Sequence, residues 1–283
     1  MKKIIILLLL TSSYIFSNIN VVVSILPEKT FVKAVGGDKV HVALMVLPGN
    51  SPHTYEPKPS QMKEIAKADL YFAIGVEFEK VWLPKFSSLN PRMHIVDLTQ
   101  GIAKRAMQSH EEHGSEVHSH TEGLDPHVWT SPANVRIIAK NIYTALSKAD
   151  PENRDFYRKN FEAFTGRIDA TDQKIRNILS HTPKGAKFMV FHPSWGYFAH
   201  AYGLVQLPIE IEGKSPKPRE LVELLNKAKK EKIKAIFTQP EFSDAMAKVM
   251  AKELHIKVIK ISPLNEHWSA NLLKIAHAIA GNE

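Results

Sequence analysis

The stretch that decides the fold is residues 151–181, PENRDFYRKNFEAFTGRIDATDQKIRNILSH, in the middle of the chain. Its apolar side chains recur at steps of three, four or seven residues, at Tyr157, Phe161, Phe164, Ile168, Ile175 and Ile178. This spacing places them on one face of a helix, and Pro151 and Glu152 suit the start of that helix. A helix of about 28 residues is roughly 40 Å long, enough to run across two lobes. The alternative is two shorter helices that break at Gly166.

On both sides of this stretch, short apolar strands alternate with helical patterns. The strands are predicted at 20–26, 40–47, 70–74 and 93–96 before it, and at 187–191, 204–211, 233–238 and 257–261 after it. Such alternation is typical of a parallel sheet flanked by helices. The sequence therefore predicts an α/β protein with two lobes, each a mainly parallel sheet flanked by helices, joined by one long rigid helix. We expect an N-terminal lobe over 18–150, the connecting helix over 151–181 and a C-terminal lobe over 182–283.

The composition is that of a soluble globular protein and restricts the kind of metal site. The 283 residues are 44% hydrophobic and 23% charged, which excludes a disordered chain, a collagen and a coiled coil. The chain contains no cysteine, so disulfides, thiolate zinc sites, iron–sulfur clusters and cysteine nucleophiles are excluded. Any bound metal must therefore be held by histidine, carboxylate or carbonyl groups.

Residues 1–17 have the pattern of a secretory signal peptide. Lys2 and Lys3 precede an apolar run over 4–10, and small residues follow it as far as Ser17. We expect cleavage after Ser17; an uncleaved anchor is the alternative. Without a cysteine after the apolar run, no lipid anchor is expected. The sequence predicts a periplasmic protein, and no later stretch approaches membrane-spanning length.

The positive charge of the chain does not indicate a nucleic-acid partner. The formal net charge is +8, and the densest basic run, 227–234, lies at the end of a predicted helix. Cations are favourable there because the helix C-terminus carries partial negative charge. We therefore expect a solvated helix end and no nucleic-acid binding.

Three histidines occupy similar places in the predicted fold. His53 lies in PGNSPHTYEP (48–57), His127 in LDPHVWTSP (124–132) and His192 in FHPSWGYF (191–198). His53 and His192 follow predicted strands, and ligands of open α/β sheets bind at the carboxyl ends of strands. The three side chains are therefore candidates for one metal site between the lobes. The alternative is that each only serves its own loop, because their spacing is no local metal signature.

The segment 110–120, HEEHGSEVHSH, is rich in histidine and glutamate. Its histidines are His110, His113, His118 and His120. Imidazole and carboxylate together suit Zn²⁺, Ni²⁺ or Cu²⁺, so we expect an accessory loop over 108–122 that binds metal weakly. The alternative is a polar loop in which the histidines are incidental.

The three histidine motifs in this order, with the histidine-rich segment between the first two, resemble the metal-binding substrate proteins of ATP-binding-cassette (ABC) importers, in particular the zinc-specific, ZnuA-type members. The resemblance covers essentially the whole chain after the signal peptide. It implies that metal binds between the lobes with His53, His127 and His192 as ligands. It also implies delivery of the metal to an inner-membrane permease with a cytoplasmic ATPase, by a carrier that is not an enzyme.

The fourth ligand is where this sequence departs from that family. Many members have an aspartate where this chain has Ser262, and their Glu-Pro-Gln appears here as Gln239-Pro-Glu241. Serine is a poor zinc ligand, so a water molecule is expected to complete the site, with Glu241 or Glu56 as alternatives. Three imidazoles favour zinc, because manganese prefers more oxygen ligands.

The predicted function is a monomeric periplasmic protein that binds Zn²⁺ with high affinity and delivers it to an importer. A manganese or iron carrier of the same family is the main alternative. A metal-dependent adhesin is another. A zinc hydrolase is the third, because three histidines and a water also form catalytic zinc sites, although no general base is evident beside the motifs.

Overall fold

The structure is a computed structural model, and it describes residues 18–107, 123–210 and 216–281. The predicted signal peptide (1–17) and histidine-rich segment (108–122) lie outside the described residues. Within the described residues, no helix has both the length and the apolar composition needed to cross a membrane.

Two four-stranded parallel sheets form the frame of the molecule, as predicted. The first sheet has the order β2-β1-β3-β4 and consists of β1 (Ile19–Val23), β2 (Val40–Leu44), β3 (Leu70–Ala73) and β4 (His94–Asp97). The second has the order β6-β5-β7-β8 and consists of β5 (Lys187–Val190), β6 (Val205–Pro208), β7 (Ala235–Thr238) and β8 (Lys257–Lys260). Chain order reverses beside β1 and beside β5, and such switch points are where α/β sheets bind ligands.

Nine helices of the described residues flank the sheets. They are α1 (Leu26–Gly36), α2 (Pro59–Lys67), α3 (Glu77–Leu89), α4 (Pro132–Ala149), α5 (Arg154–Ile178), α6 (Gly196–Ala201), α7 (Pro218–Lys230), α8 (Ala245–Leu254) and α9 (Trp268–Ala280). For the third of these helices the sequence predicts only residues 79–83. The observed α3 spans 13 residues and continues through Pro84. Proline removes one backbone hydrogen bond from a helix, and here the helix continues past it.

The long helix between the halves is confirmed, and the alternative of a break at Gly166 is wrong. Helix α5 has 25 residues and is preceded by a 3-10 turn over Pro151–Asn153. It buries Tyr157, Phe164, Ile168, Thr171 and Ile175 against α1, α4 and α9. The predicted apolar face is thus the face that packs.

The last helix, α9, contacts the first half of the molecule and the long helix α5. The Trp268 indole at the start of α9 donates a hydrogen bond of 2.7 Å to the backbone oxygen of Trp129 and packs edge-on against Phe31 of α1. Ser269 and Thr171 of α5 share a hydrogen bond of 2.6 Å. One hydrophobic core consequently runs from the first sheet through α5 and α9 to the second sheet. A smaller core covers the other face of the second sheet.

Candidate metal centre

The three predicted histidines lie between the two sheets. His53 is in the loop after β2, and His192 follows β5 by two residues. His127 immediately precedes the 3-10 turn Val128–Thr130, which leads into α4. His127 and His192 are buried, at 3% and 6% exposure, while His53 is half-buried.

The structure brings these side chains together. Each offers a ring nitrogen, and the three nitrogens all lie within 4.8 Å of one another. Nε2 of His53 is 3.1 Å from Nε2 of His192, and the ring centres of His127 and His192 are 5.3 Å apart. Three imidazoles at this separation can coordinate one cation with modest adjustment.

Each imidazole has a carboxylate on its outer nitrogen. Asp125 Oδ1 lies 2.7 Å from His127 Nδ1, and Glu210 Oε1 lies 2.6 Å from His192 Nδ1. Glu77 contacts Nδ1 of His53. A carboxylate accepts the Nδ1 proton and leaves Nε2 free as a ligand, which is the usual arrangement around histidines that bind zinc.

The three carboxylates were not predicted from the sequence. Asp125 lies two residues before His127, and that proximity is a signal that could have found it. Glu77 begins α3 and Glu210 follows β6, 24 and 18 residues from their histidines. Only the tertiary fold brings these two pairs together.

The surroundings of His192 favour its neutral imidazole. Burial lowers the pKa of His192, and the neighbouring His127 and His53 lower it further, whereas the hydrogen bond to Glu210 raises it. The hydrogen bond from His53 lowers the pKa of Glu77. Both shifts are in the direction that a divalent cation requires, a neutral ring at His192 and a charged carboxylate at Glu77.

The three histidines share a cavity of about 10 Å³ with Pro52, Gln239, Glu241, Phe242, Pro263 and Leu264. This is close to the smallest volume that holds one water molecule, so the cavity suits a single ion. Phe242 stacks on His192 with ring centres 4.8 Å apart, and the ring centres of Trp129 and His127 are 5.3 Å apart. A larger cavity of about 450 Å³, lined by Lys184, Lys187 and Lys234 among others, contains none of the three histidines.

The predicted alternatives for the fourth ligand lie in different places. Glu241 lines the cavity, and its Oε1 accepts a hydrogen bond of 2.6 Å from Ser262 Oγ. Burial raises the pKa of Glu241. Glu56 is exposed and lies outside the lining of the cavity. The accessory histidines His110, His113, His118 and His120 lie outside the described residues.

The aromatic side chains of the histidine motifs lie in the core of the protein. Trp129, Trp195, Tyr197 and Phe198 are all buried. The Tyr197 hydroxyl donates to the backbone oxygen of Asp125 at 3.3 Å, which connects the second lobe to the segment that carries His127. Phe242 was not predicted as part of the site.

Comparisons with known proteins agree with this geometry. The family model "Zinc-uptake complex component A periplasmic" (ZnuA) matches residues 21–279. The high-affinity zinc uptake system protein ZnuA of Bacillus subtilis is 30% identical over 252 residues, covering 87% of this chain and 78% of that protein. The manganese ABC transporter substrate-binding lipoprotein PsaA of Streptococcus pneumoniae is 29% identical over 247 residues, covering 83% of this chain and 76% of that protein.

Similarity extends to three-dimensional structure. A crystal structure of ZnuA matches with a TM-score of 0.86 and 38% sequence identity, covering 94% of this chain and 100% of that one. With two parallel sheets, the long helix and the histidine cluster, the chain belongs to the ZnuA family of periplasmic metal-binding proteins, the substrate-binding components of metal ABC importers.

Proposed function

We propose that this protein captures one Zn²⁺ between its lobes and delivers it to the permease of an ABC importer. The observation that carries the proposal is the convergence of His53, His127 and His192 within 4.8 Å. Their outer nitrogens are occupied by carboxylates, so three lone pairs are available to a single cation. Zinc is bound in this way, by three or four ligands that include neutral imidazole.

Zinc is preferred to manganese because of the donor atoms. Nitrogen-rich sites suit zinc, whereas manganese favours carboxylate, carbonyl and water oxygens. The similarity to PsaA makes manganese the alternative cargo. The similarity to the zinc uptake protein of Bacillus subtilis and the three imidazoles support zinc.

Delivery to a permease and its ATPase is proposed from membership of the family. We further propose that the protein reaches the periplasm with a signal peptide that is cleaved after Ser17, and acts there as a monomer. The name of PsaA includes "lipoprotein", whereas the 283 residues of this sequence contain no cysteine. We propose a carrier and not an enzyme.

A metal competition tests the choice of zinc. The chain from residue 18 onward, with and without 110–120, is mixed with equal amounts of Zn²⁺ and Mn²⁺, and bound metal is counted by mass spectrometry. We expect one zinc and no manganese in the shortened chain. Retention of manganese would support a manganese carrier, and the absence of tightly bound metal would overturn the proposal.

A further inference from the structure

We propose that Glu241 supplies the fourth ligand of the metal centre and that Ser262 is the positioning residue that holds its carboxylate in place. This inference rests on the proposed function, because it concerns the same cation. It replaces the expected water molecule with a protein ligand from the loop after β7.

A chain of two hydrogen bonds orients the Glu241 carboxylate. The backbone N–H of Leu264 donates to Ser262 Oγ at 3.0 Å, and Ser262 Oγ donates to Glu241 Oε1 at 2.6 Å. Because Oγ already accepts the Leu264 proton, its own hydrogen is free to point at the carboxylate. Ser262 therefore acts as a fixed donor to one oxygen of Glu241.

The other carboxylate oxygen is left without a partner. Glu241 Oε2 is buried and has no hydrogen-bond partner among the described residues, although Glu241 lines the cavity that the three histidines share. A buried carboxylate oxygen without a partner is costly. A cation in the cavity would compensate Oε2, while Oε1 keeps its hydrogen bond to Ser262.

The position of Glu241 is compatible with this role. Strands β7 and β8 are parallel neighbours in which Thr238 pairs with Lys260. Glu241 lies three residues beyond the first and Ser262 two residues beyond the second, so both loops leave the same edge of the sheet. A carboxylate after β7 can therefore take the place of one after β8, where this chain has only a hydroxyl.

A carboxylate in the fourth position changes what the centre can do. Zinc with four protein ligands has a closed tetrahedral shell, as in structural sites, whereas catalytic zinc keeps a position for water. With Glu241 bound, no water would be activated for hydrolysis. A closed shell would thus suit a carrier rather than an enzyme.

Zinc affinity of the full chain from residue 18 tests the inference, measured by competition with a chromophoric chelator. We expect Glu241→Gln to weaken zinc binding about tenfold or more, since changes outside the ligand shell alone cost 10–100-fold. Glu253→Gln, an exposed glutamate on α8, is the matched control and should bind as the unaltered chain does. Ser262→Ala should weaken binding less than Glu241→Gln, because the ligand remains.

Two further measurements distinguish the ligand role of Glu241 from the positioning role of Ser262. X-ray absorption of the zinc-loaded chain should show three nitrogen ligands and one carboxylate, and Glu241→Gln should lose the carboxylate. The double variant E241Q/S262D should recover affinity, because it returns a carboxylate from the loop after β8. Circular dichroism confirms that each variant is folded.

The outcomes separate this inference from the proposed function. If Glu241→Gln leaves affinity and absorption spectrum unchanged while His127→Ala loses binding, the fourth ligand is not Glu241 and the zinc carrier stands. If the unaltered chain binds no zinc, both fail.

Discussion

Nε2 of His53 lies 3.1 Å from Nε2 of His192, although 139 residues separate them in the sequence. Glu77 and Glu210 accept the Nδ1 protons of these two rings, so two lone pairs face each other across the gap. Two acceptors at this distance repel unless a proton or a cation lies between them. A cation bound between the two nitrogens would remove that repulsion.

Replacement of His127 should weaken zinc binding by at least tenfold. His127→Ala removes one of three imidazole ligands, and loss of an outer-shell partner alone costs this much. The measurement is a chelator competition. His200→Ala, at an exposed histidine on α6, is the control and should leave zinc affinity unchanged. If the two variants bind zinc equally tightly, His127 is not a ligand of the centre.

Replacement of Glu210 should weaken zinc binding about tenfold while all three imidazoles remain. Glu210→Gln keeps the shape of the side chain but loses the charge that holds the Nδ1 proton of His192. The amide can present either oxygen or nitrogen to the ring, so the orientation and basicity of the ligand are less well defined. Isothermal titration of zinc into both chains checks this, and an unaltered affinity would contradict a role for the carboxylate.

Much of the frame could be predicted from the sequence because its signals are local. The period of apolar residues in 151–181 determines the long helix, and β-branched runs such as 21–23 determine buried strands. His53, His127 and His192 could be proposed as a group because two of them follow strands and all three lie in proline-containing loop motifs.

The supporting shell could not be predicted, because its pairs form only through tertiary contact. Glu77 and Glu210 are ordinary surface-type residues in the sequence, and nothing near them marks a histidine partner. Phe242 lies one residue from a predicted alternative ligand, yet its stacking on His192 depends on how the loop after β7 folds back. The donor role of Ser262 likewise depends on the backbone of Leu264.

The free energy of unfolding of the metal-free protein should depend on pH because of Glu28. Burial, together with the nearby Glu79, raises the pKa of Glu28 well above its usual value of 4.5. A raised pKa means that the native state prefers the protonated acid, so its stabilising contribution is complete below pH 4.5 and is lost as pH rises through the raised pKa.

Glu28→Gln removes that titration. Its amide oxygen can still accept the backbone protons of Ser24 and Ile25, which Glu28 Oε2 accepts at 3.0 and 2.9 Å. We expect the stability of the variant relative to the unaltered chain to increase as the pH rises above 4.5, by about 1.4 kcal/mol per unit of pKa difference. Urea unfolding of both chains at several pH values measures this, and a constant difference would contradict it.

Deletion of residues 110–120 should remove weak zinc binding and keep one tight site. The two ends of the surrounding segment already meet, since Met107 N–H donates to the backbone oxygen of Gly123 at 3.4 Å and Asp125 N–H to that of Arg105 at 2.8 Å. The four remaining residues between 107 and 123 are enough to close a hairpin. Equilibrium dialysis over a range of zinc concentrations gives the stoichiometry, and loss of the tight site would show that the segment contributes to the centre.

Two glycine-to-alanine substitutions should show that zinc affinity depends on the contacts of the metal centre and not on the sequence of α5. A Cβ on Gly196 would lie 2.7 Å from Asp125 Oδ2, too close for that carboxylate to stay in place. Asp125 Oδ1 accepts both the backbone and the Nδ1 protons of His127. Gly196→Ala should therefore displace His127 and weaken zinc binding about tenfold.

A Cβ on Gly166 of α5 would meet nothing within 4 Å, and the position is exposed. Alanine restricts the unfolded chain and favours the helix, so Gly166→Ala should stabilise the protein by about 0.5–1 kcal/mol and leave zinc affinity unchanged. Thermal unfolding and chelator competition on both variants test the pair together. If Gly196→Ala binds zinc as tightly as Gly166→Ala does, then the Asp125–His127 contact does not position the ligand. If Gly166→Ala alters affinity, then α5 transmits strain to the centre instead of acting as a rigid connection.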